Sequence, residues 1–305
     1  MSYKNNIFKN CPMCNSDKIQ YQFTTYKKDM CQEGYNYVQC FKCASFYLSN
    51  LNILALKKFY AETDYYESSS SKNDIINQLS KVLKLTGRES IIDLGCGTGA
   101  WSLPILSYCK QINCVDLNNK NLERLKKRIP YKKSNQIKCY NLDSMEFLSK
   151  CDDNSFDGVL SMWNLEHDTE PARLVKEVYR VLKPDGFMLV LVPSADSLQV
   201  KLLKGSFYWF QAPWHTFIPS NKGLASLGKQ AGFSVGNKTK LNLFFNGWYW
   251  LRSLADLSRK RKLYDRLRKV KFFVYIDILL DKLMDKLSHF MHRPSHVFHV
   301  FIKDN

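Results

Sequence analysis

Asp93-Leu94-Gly95-Cys96-Gly97-Thr98-Gly99 decides the reading of this chain. Ile91 and Ile92 precede it and Ala100-Trp101-Ser102-Leu103 follows, so the segment reads as a short apolar strand, a glycine turn and then a helix. Glycine at alternate positions lets the backbone turn tightly and approach a ligand closely. A helix opening at such a turn directs free N–H groups at a polar or anionic ligand. Asp116 ends the next strand-like run, Ile112-Asn113-Cys114-Val115, about 20 residues on, the usual reach to a ribose in a nucleotide-binding βαβ unit. The turn therefore predicts a nucleoside-containing cofactor.

The third glycine falls one residue short of the dinucleotide spacing G-x-G-x-x-G. G-x-G-x-G, with an acid two residues before its first glycine, resembles the first motif of the class I S-adenosylmethionine-dependent methyltransferases. Later segments are similar to that family in the same order: Tyr140-Asn141-Leu142-Asp143, then Phe156 to Met162, then Leu165-Glu166-His167. Leu174 to Leu182 has helical apolar spacing and is expected to end at Lys183-Pro184-Asp185-Gly186, before an apolar strand from Phe187 to Val192. The resemblance implies an α/β fold, a seven-stranded Rossmann-like methyltransferase sheet, with S-adenosylmethionine as cofactor. It implies that Asp93 orders the first loop and that Gly95 and Gly97 lie against the methionine and ribose portions. It also implies that Asp116 accepts the ribose hydroxyls, Leu117 flanks the adenine, Asp143 accepts its amine and Met162 ends the strand beside the transferred methyl.

A hydroxyl acceptor would need a base to take its proton. The candidates are His167, His215 and Glu166, with a purely structural role left open for each histidine. His215 stands in Ala212-Pro213-Trp214-His215, similar to the family's P-x-H segment. Trp163 stands where metal-dependent relatives carry an acid, so no catalytic metal is expected. Ser161-Met162-Trp163-Asn164 lacks the motif of base-directed DNA methylation, so DNA is not an expected substrate.

Cys11-Pro12-Met13-Cys14 and Cys40-Phe41-Lys42-Cys43 form two C-x-x-C pairs, the pattern of a four-thiolate structural zinc site. This ribbon resembles the N-terminal module of some bacterial sugar and glycan methyltransferases, which carry glycine where Ala44 stands here. With the L-E-H and P-x-H segments, it implies a sugar or glycan acceptor, nucleotide- or lipid-linked, in surface polysaccharide biosynthesis. The alternative is a ribosomal-RNA methyltransferase with a zinc module, a less favoured reading because such modules typically include a histidine ligand.

The expected organisation is a zinc ribbon over 1–48, a helical linker or cap over 49–86, a methyltransferase core over 87–245 plus 294–305, and a basic amphipathic helical insertion over 246–293. In the insertion, Phe272, Tyr275, Ile276, Leu279, Leu283 and Leu287 recur at helical spacing, with Asp277, Asp281 and Asp285 on the opposite side. Three partners for that apolar face stay open: an anionic membrane surface, the protein's own core, or a second copy in a homodimer. The chain has 305 residues, 45 Lys and Arg against 28 Asp and Glu, and a net charge of +17, which suits acidic partners. Ten cysteines without a secretory signal, and no apolar run of the roughly 20 residues a spanning helix requires, predict a cytoplasmic protein, peripheral at the inner membrane surface if the insertion meets lipid.

Overall fold

The computed structural model describes residues 8–25, 34–50, 56, 73–234, 240–241, 249–258 and 260–305. Of the linker or cap expected over 49–86, residues 51–55 and 57–72 lie outside the described residues, as do Cys31, Phe244, Phe245, Trp248 and Arg259. The strands in chain order are β1 (Ile19–Thr25), β2 (Tyr35–Cys40), β3 (Phe46–Leu48), β4 (Ser90–Leu94), β5 (Gln111–Val115) and β6 (Ile137–Tyr140). They continue with β7 (Phe156–Met162), β8 (Leu182–Pro193), β9 (Phe217–Ile218), β10 (Lys240–Leu241) and β11 (His296–Ile302).

The chain forms two compact units: Ile53–Leu191 with Ala225–Lys240 and Phe298–Asn305, and Met1–Asn52 with Val192–Leu224 and Leu241–Val297. The first holds the α/β sheet, of order β10-β11-β8-β7-β4-β5-β6. It consists of six strands of four or more residues and a two-residue edge, β10. β4 pairs in parallel with β5 and β7, as do β5 with β6 and β7 with β8. Ile91, Ile92, Leu94, Val159 and Leu160 are buried, as expected where a parallel sheet is covered on both faces. The chain runs outward from β4 to β6 and then returns to β7, so the order reverses between β4 and β7. Ligands of open α/β sheets bind outside the carboxyl ends of the strands at such a reversal.

The helix after β7 runs over Pro171–Val181, three residues earlier than its apolar spacing predicts, because proline at its first turn lacks only an N–H that a helix start leaves unused. It buries Leu174, Val175, Val178 and Val181, each contributing roughly 1.5–3 kcal/mol. Lys183-Pro184-Asp185-Gly186 does not lie between helix and strand as expected. It belongs to β8, which begins at Leu182. The register against β7 slips there, from Phe156 opposite Leu182 to Gly158 opposite Phe187. The Asp185 N–H donates to the Lys303 carbonyl at 2.8 Å, and the Lys303 N–H to the Gly186 carbonyl at 2.9 Å, so pairing satisfies the segment.

The second unit holds an antiparallel sheet of order β1-β2-β3-β9. The two units follow different lines from the segments expected from sequence, since 192–224 groups with the ribbon. The reason is β9, whose Ile218 and Phe217 pair with Phe46 and Tyr47 of β3. Phe210 packs its ring 4.8 Å from those of Phe23 and Tyr37 and 5.1 Å from that of Phe46. Ala44 adopts φ 63°, the conformation that glycine takes freely, at a cost of roughly 1–2 kcal/mol.

Among its described helices are Leu198–Leu203, Trp250–Leu257, Arg261–Leu267 and Lys271–Phe290. The last is amphipathic, as its spacing predicts, but its burial is inverted. Asp277, Asp281 and Asp285 are buried, whereas Phe272, Tyr275, Leu279 and Leu283 are exposed. Asp281 accepts the N–H groups of Tyr249 and Trp250 at 2.8 and 2.9 Å, holding the start of helix Trp250–Leu257. Asp277 accepts the Tyr264 hydroxyl at 2.8 Å and pairs with Arg268 at 3.3 Å. Asp277 and Asp281 face inward because neighbouring helices supply donors for them. Among the described residues no helix is long and apolar enough to cross a membrane.

Candidate active site and thiol cluster

The glycine turn follows β4 directly. Asp93 is buried and accepts the hydroxyl proton of Ser102, which ties the strand's end to the next helix. Gly95, Gly97 and Gly99 have φ of 68°, 53° and 81°. A Cβ on Gly95 would sit 2.3 Å from Asn164 Oδ1, so the loop after β7 presses against the glycine turn.

Asp116, at the end of β5, joins turn and sheet. Its Oδ2 accepts the Gly97 N–H and its Oδ1 the Asn118 N–H, each at 2.8 Å. Burial raises its pKa above the usual aspartate value, against these hydrogen bonds. A carboxylate has about four lone-pair sites, so with these two bonds and one from the Asn121 side chain it keeps acceptor capacity for a ribose hydroxyl. Leu117, beside it, is 58% exposed, a free apolar surface of the kind an adenine face would cover. Asn141 Nδ2 donates to the Asp116 and Leu117 carbonyls at 3.1 and 2.9 Å, holding this corner open. Asp143 is exposed and caps helix Ser144–Ser149 through one oxygen, which accepts the Met145 N–H at 2.8 Å. The cap has a sequence signature, Glu146 three residues on before Phe147 and Leu148, which the reading of Asp143 as an adenine partner passed over. These residues fit an adenosine-bearing donor: two left-handed glycines with no side chain to obstruct it, a carboxylate with spare acceptors, and an exposed apolar neighbour.

β7 ends at Met162, which is buried. Trp163 follows in a left-handed conformation, φ 55°, its N–H held by the Leu191 carbonyl at 2.8 Å and its ring edge-on to Trp101. Leu165–His167 forms one short 3-10 turn. Glu166 is fully buried, and burial pushes its carboxyl up to about 8. Its carboxylate and a His167 ring nitrogen lie within 4.8 Å of each other. Burial also pushes Asp168 up to about 6. This places a carboxyl–imidazole pair at the carboxyl end of β7. His215 belongs to the other unit, where it is 4% exposed, with Nδ1 2.7 Å from the Trp209 carbonyl and its ring parallel to the Trp209 indole. It sits in packed aromatic surroundings, without the exposure expected of a loop closing over a substrate.

In the ribbon unit, Cys11, Cys14, Cys40 and Cys43 are all buried. Their sulfurs lie within 4.8 Å of one another, with Cys11 to Cys43 at 3.5 Å and Cys14 to Cys40 at 3.6 Å. A sulfur bonded to another would stand at about 2.0 Å, so these are free thiols in contact. The hydrogen bond from Cys11 holds the Cys43 thiol below its ordinary value, while burial raises Cys14.

Fold and site together define an α/β enzyme that binds an adenosine-bearing cofactor after its first parallel strand. A methyltransferase-domain family matches residues 92–190. The chain is 30% identical over 199 residues to the ubiquinone biosynthesis O-methyltransferase of Pelagibacter ubique, covering 60% of this chain and 77% of that protein. It is 30% identical over 139 residues to the demethylmenaquinone methyltransferase of Symbiobacterium thermophilum, covering 43% of this chain and 51% of that one. The mouse thiol S-methyltransferase TMT1B is 28% identical over 41% of this chain and 50% of its own length. The chain thus spans about half the length of some curated relatives it matches. Among solved structures, an N-methyltransferase of Haemonchus contortus in complex with S-adenosylhomocysteine superposes with TM-score 0.52 at 19% identity, over 77% of this chain and 53% of that one. The cyclase SpnF gives the same TM-score at 19% identity over 80% and 86%. The chain belongs to the class I S-adenosylmethionine-dependent methyltransferases.

Sequence reasoning missed Asn164, Ser102, Asn118 and Asn141, which set the site's shape through a close contact and hydrogen bonds. Only Asn164 carried a signal, its place two residues beyond the end of β7.

Proposed function

We propose that this methyltransferase moves its donor's methyl group to a hydroxyl oxygen on a ring, either a quinone-type phenol or a sugar. The identity shared with an O-methyltransferase over 77% of its length carries the reading. The names of the relatives favour the quinone type. The ribbon, L-E-H and P-x-H segments favour the sugar. S-adenosylmethionine, when bound, supplies a methyl already activated by its sulfonium. The chain's own task is alignment and proton removal. Asp116 and Leu117 would hold the nucleoside end, and Gly95 and Gly97 would admit the donor's chain beside Asn164. His167 would take the hydroxyl proton, and Glu166, kept protonated by its burial, would orient the imidazole. A second assignment concerns the ribbon. Tetrahedral zinc with bonds of about 2.3 Å sets its sulfurs about 3.8 Å apart, close to the contacts among the four cysteines, so these would hold one structural zinc ion.

The test is transfer of labelled methyl by the full chain to hydroxylated quinone precursors, nucleotide sugars and ribosomal RNA. Label on a small-molecule oxygen supports the reading and chooses the ring class. Label only on RNA, or only on nitrogen, carbon or sulfur, overturns it.

A further inference from the structure

We propose that helix Lys271–Phe290 docks this protein on an anionic lipid bilayer. The helix turns an apolar stripe to solvent: Phe272 is 74% exposed, Tyr275 73%, Leu279 68%, Leu283 60% and Phe290 83%. These positions recur at three and four residues, so they share one face about 30 Å long. A solvated face of this composition is the mark of a binding surface. Charge identifies the occupant. Every acid of the helix is turned inward, Asp277 and Asp281 onto the donors already described, so its outer surface carries cations alone. Lys271, Lys282 and Lys286 on this helix, and Lys262, Arg266 and Lys269 on the segment before it, are exposed; the exposed acid of that segment, Asp265, is paired with Arg261 at 2.9 Å. Lys282 and Lys286 flank the apolar stripe, where long side chains can bury their stems and keep the ammonium at the headgroups.

This is the pattern of an interfacial helix: apolar side chains at the acyl boundary, with lysines against anionic headgroups. A second copy suits the surface less well. Two-fold packing of the stripe would face identical lysines, with no exposed acid on either helix to offset them. No described helix can span a bilayer, so the contact is with its surface. The inference is independent of which acceptor is methylated.

The test is co-sedimentation of the full chain with vesicles of phosphatidylglycerol and phosphatidylcholine in equal parts, and with vesicles of phosphatidylcholine alone. The protein should pellet with the anionic vesicles and much less with the neutral ones, and raised salt should release it. The double variant Leu279→Glu, Leu283→Glu should lower the partition coefficient by about tenfold or more, with circular dichroism and melting unchanged because both side chains are exposed. Lys282→Ala with Lys286→Ala leaves the apolar stripe intact and should weaken anionic binding alone, so the proposal stays open to test even if the glutamates perturb folding. Absence from the anionic pellet overturns it, as does equal binding to neutral vesicles. A solution dimer that Leu279→Glu dissociates would assign the stripe to a second copy and equally overturn it.

Discussion

Gly95 and Glu166 act through opposite means, one by the absence of a side chain and the other by the environment of its carboxyl. Gly95 has φ +68°, and any Cβ there would lie 2.3 Å from Asn164 Oδ1. Gly95→Ala therefore forces a strained backbone and displaces the loop after β7, at roughly 1–2 kcal/mol for the backbone alone. Calorimetric titration with S-adenosylmethionine should show affinity weakened by about tenfold or more; unchanged affinity would mean that this contact does not shape the donor site. Glu166 has its folded pKa raised to about 8 from an ordinary 4.5 by burial. The fold favours the protonated carboxyl, so this contribution is complete below about pH 4.5 and is lost as pH rises toward 8. The slope is about 1.4 kcal/mol per pH unit. Urea unfolding across that range should show stability falling with pH, and Glu166→Gln should flatten the fall. A slope that survives the substitution would locate its source elsewhere.

At the scale of elements, the helix Lys271–Phe290 shows where periodicity stops being informative. The three-and-four spacing identified an amphipathic helix correctly, but it could not say which face turns inward. Asp281 went inside because two backbone N–H groups more than 30 residues away await it, and Asp277 because a tyrosine hydroxyl and an arginine on the segment just before the helix do. Asp281→Ala should leave the N–H groups of Tyr249 and Trp250 without their acceptor, at about 1–3 kcal/mol each where burial excludes water. A lowered melting temperature is expected, with Asp281→Asn losing less; equal melting of both variants with the parent would contradict this anchoring role. The ribbon differs in that each C-x-x-C pair is legible from local spacing, although the two pairs meet across 26 to 32 residues. Elemental analysis should find one zinc per chain, lost in Cys43→Ser together with ordered β1 and β2. A chain that folds fully in excess chelator would remove the metal from the account.

For the whole molecule, the two compact units would carry separate ligands: the donor in the sheet unit and, on the proposed assignment, a metal in the ribbon unit. A ligand at a hundred times its Kd stabilises the fold it binds by about 2.7 kcal/mol. S-adenosylmethionine should therefore raise the melting of the sheet, followed through Trp101 and Trp163 substituted singly to phenylalanine. A chelator should lower that of the ribbon. If the donor leaves melting unmoved at saturating concentration, the site assigned after β4 is not where it binds.

Sequence alone determined the sheet's central strands, the glycine turn, the acid at the end of β5 and the paired cysteines. Each rests on residues close in the chain, where period, spacing and backbone freedom act directly. Tertiary structure decided the rest: the slip that takes Lys183–Gly186 into β8, the pairing of Phe217 and Ile218 with the ribbon, the closeness of Asn164 to Gly95, and the outward turn of the apolar helix face. These depend on partners distant in sequence. A side chain's period shows that it has a preferred face, but only the groups packed against it decide whether burial of an acid or of a leucine is the more favourable arrangement.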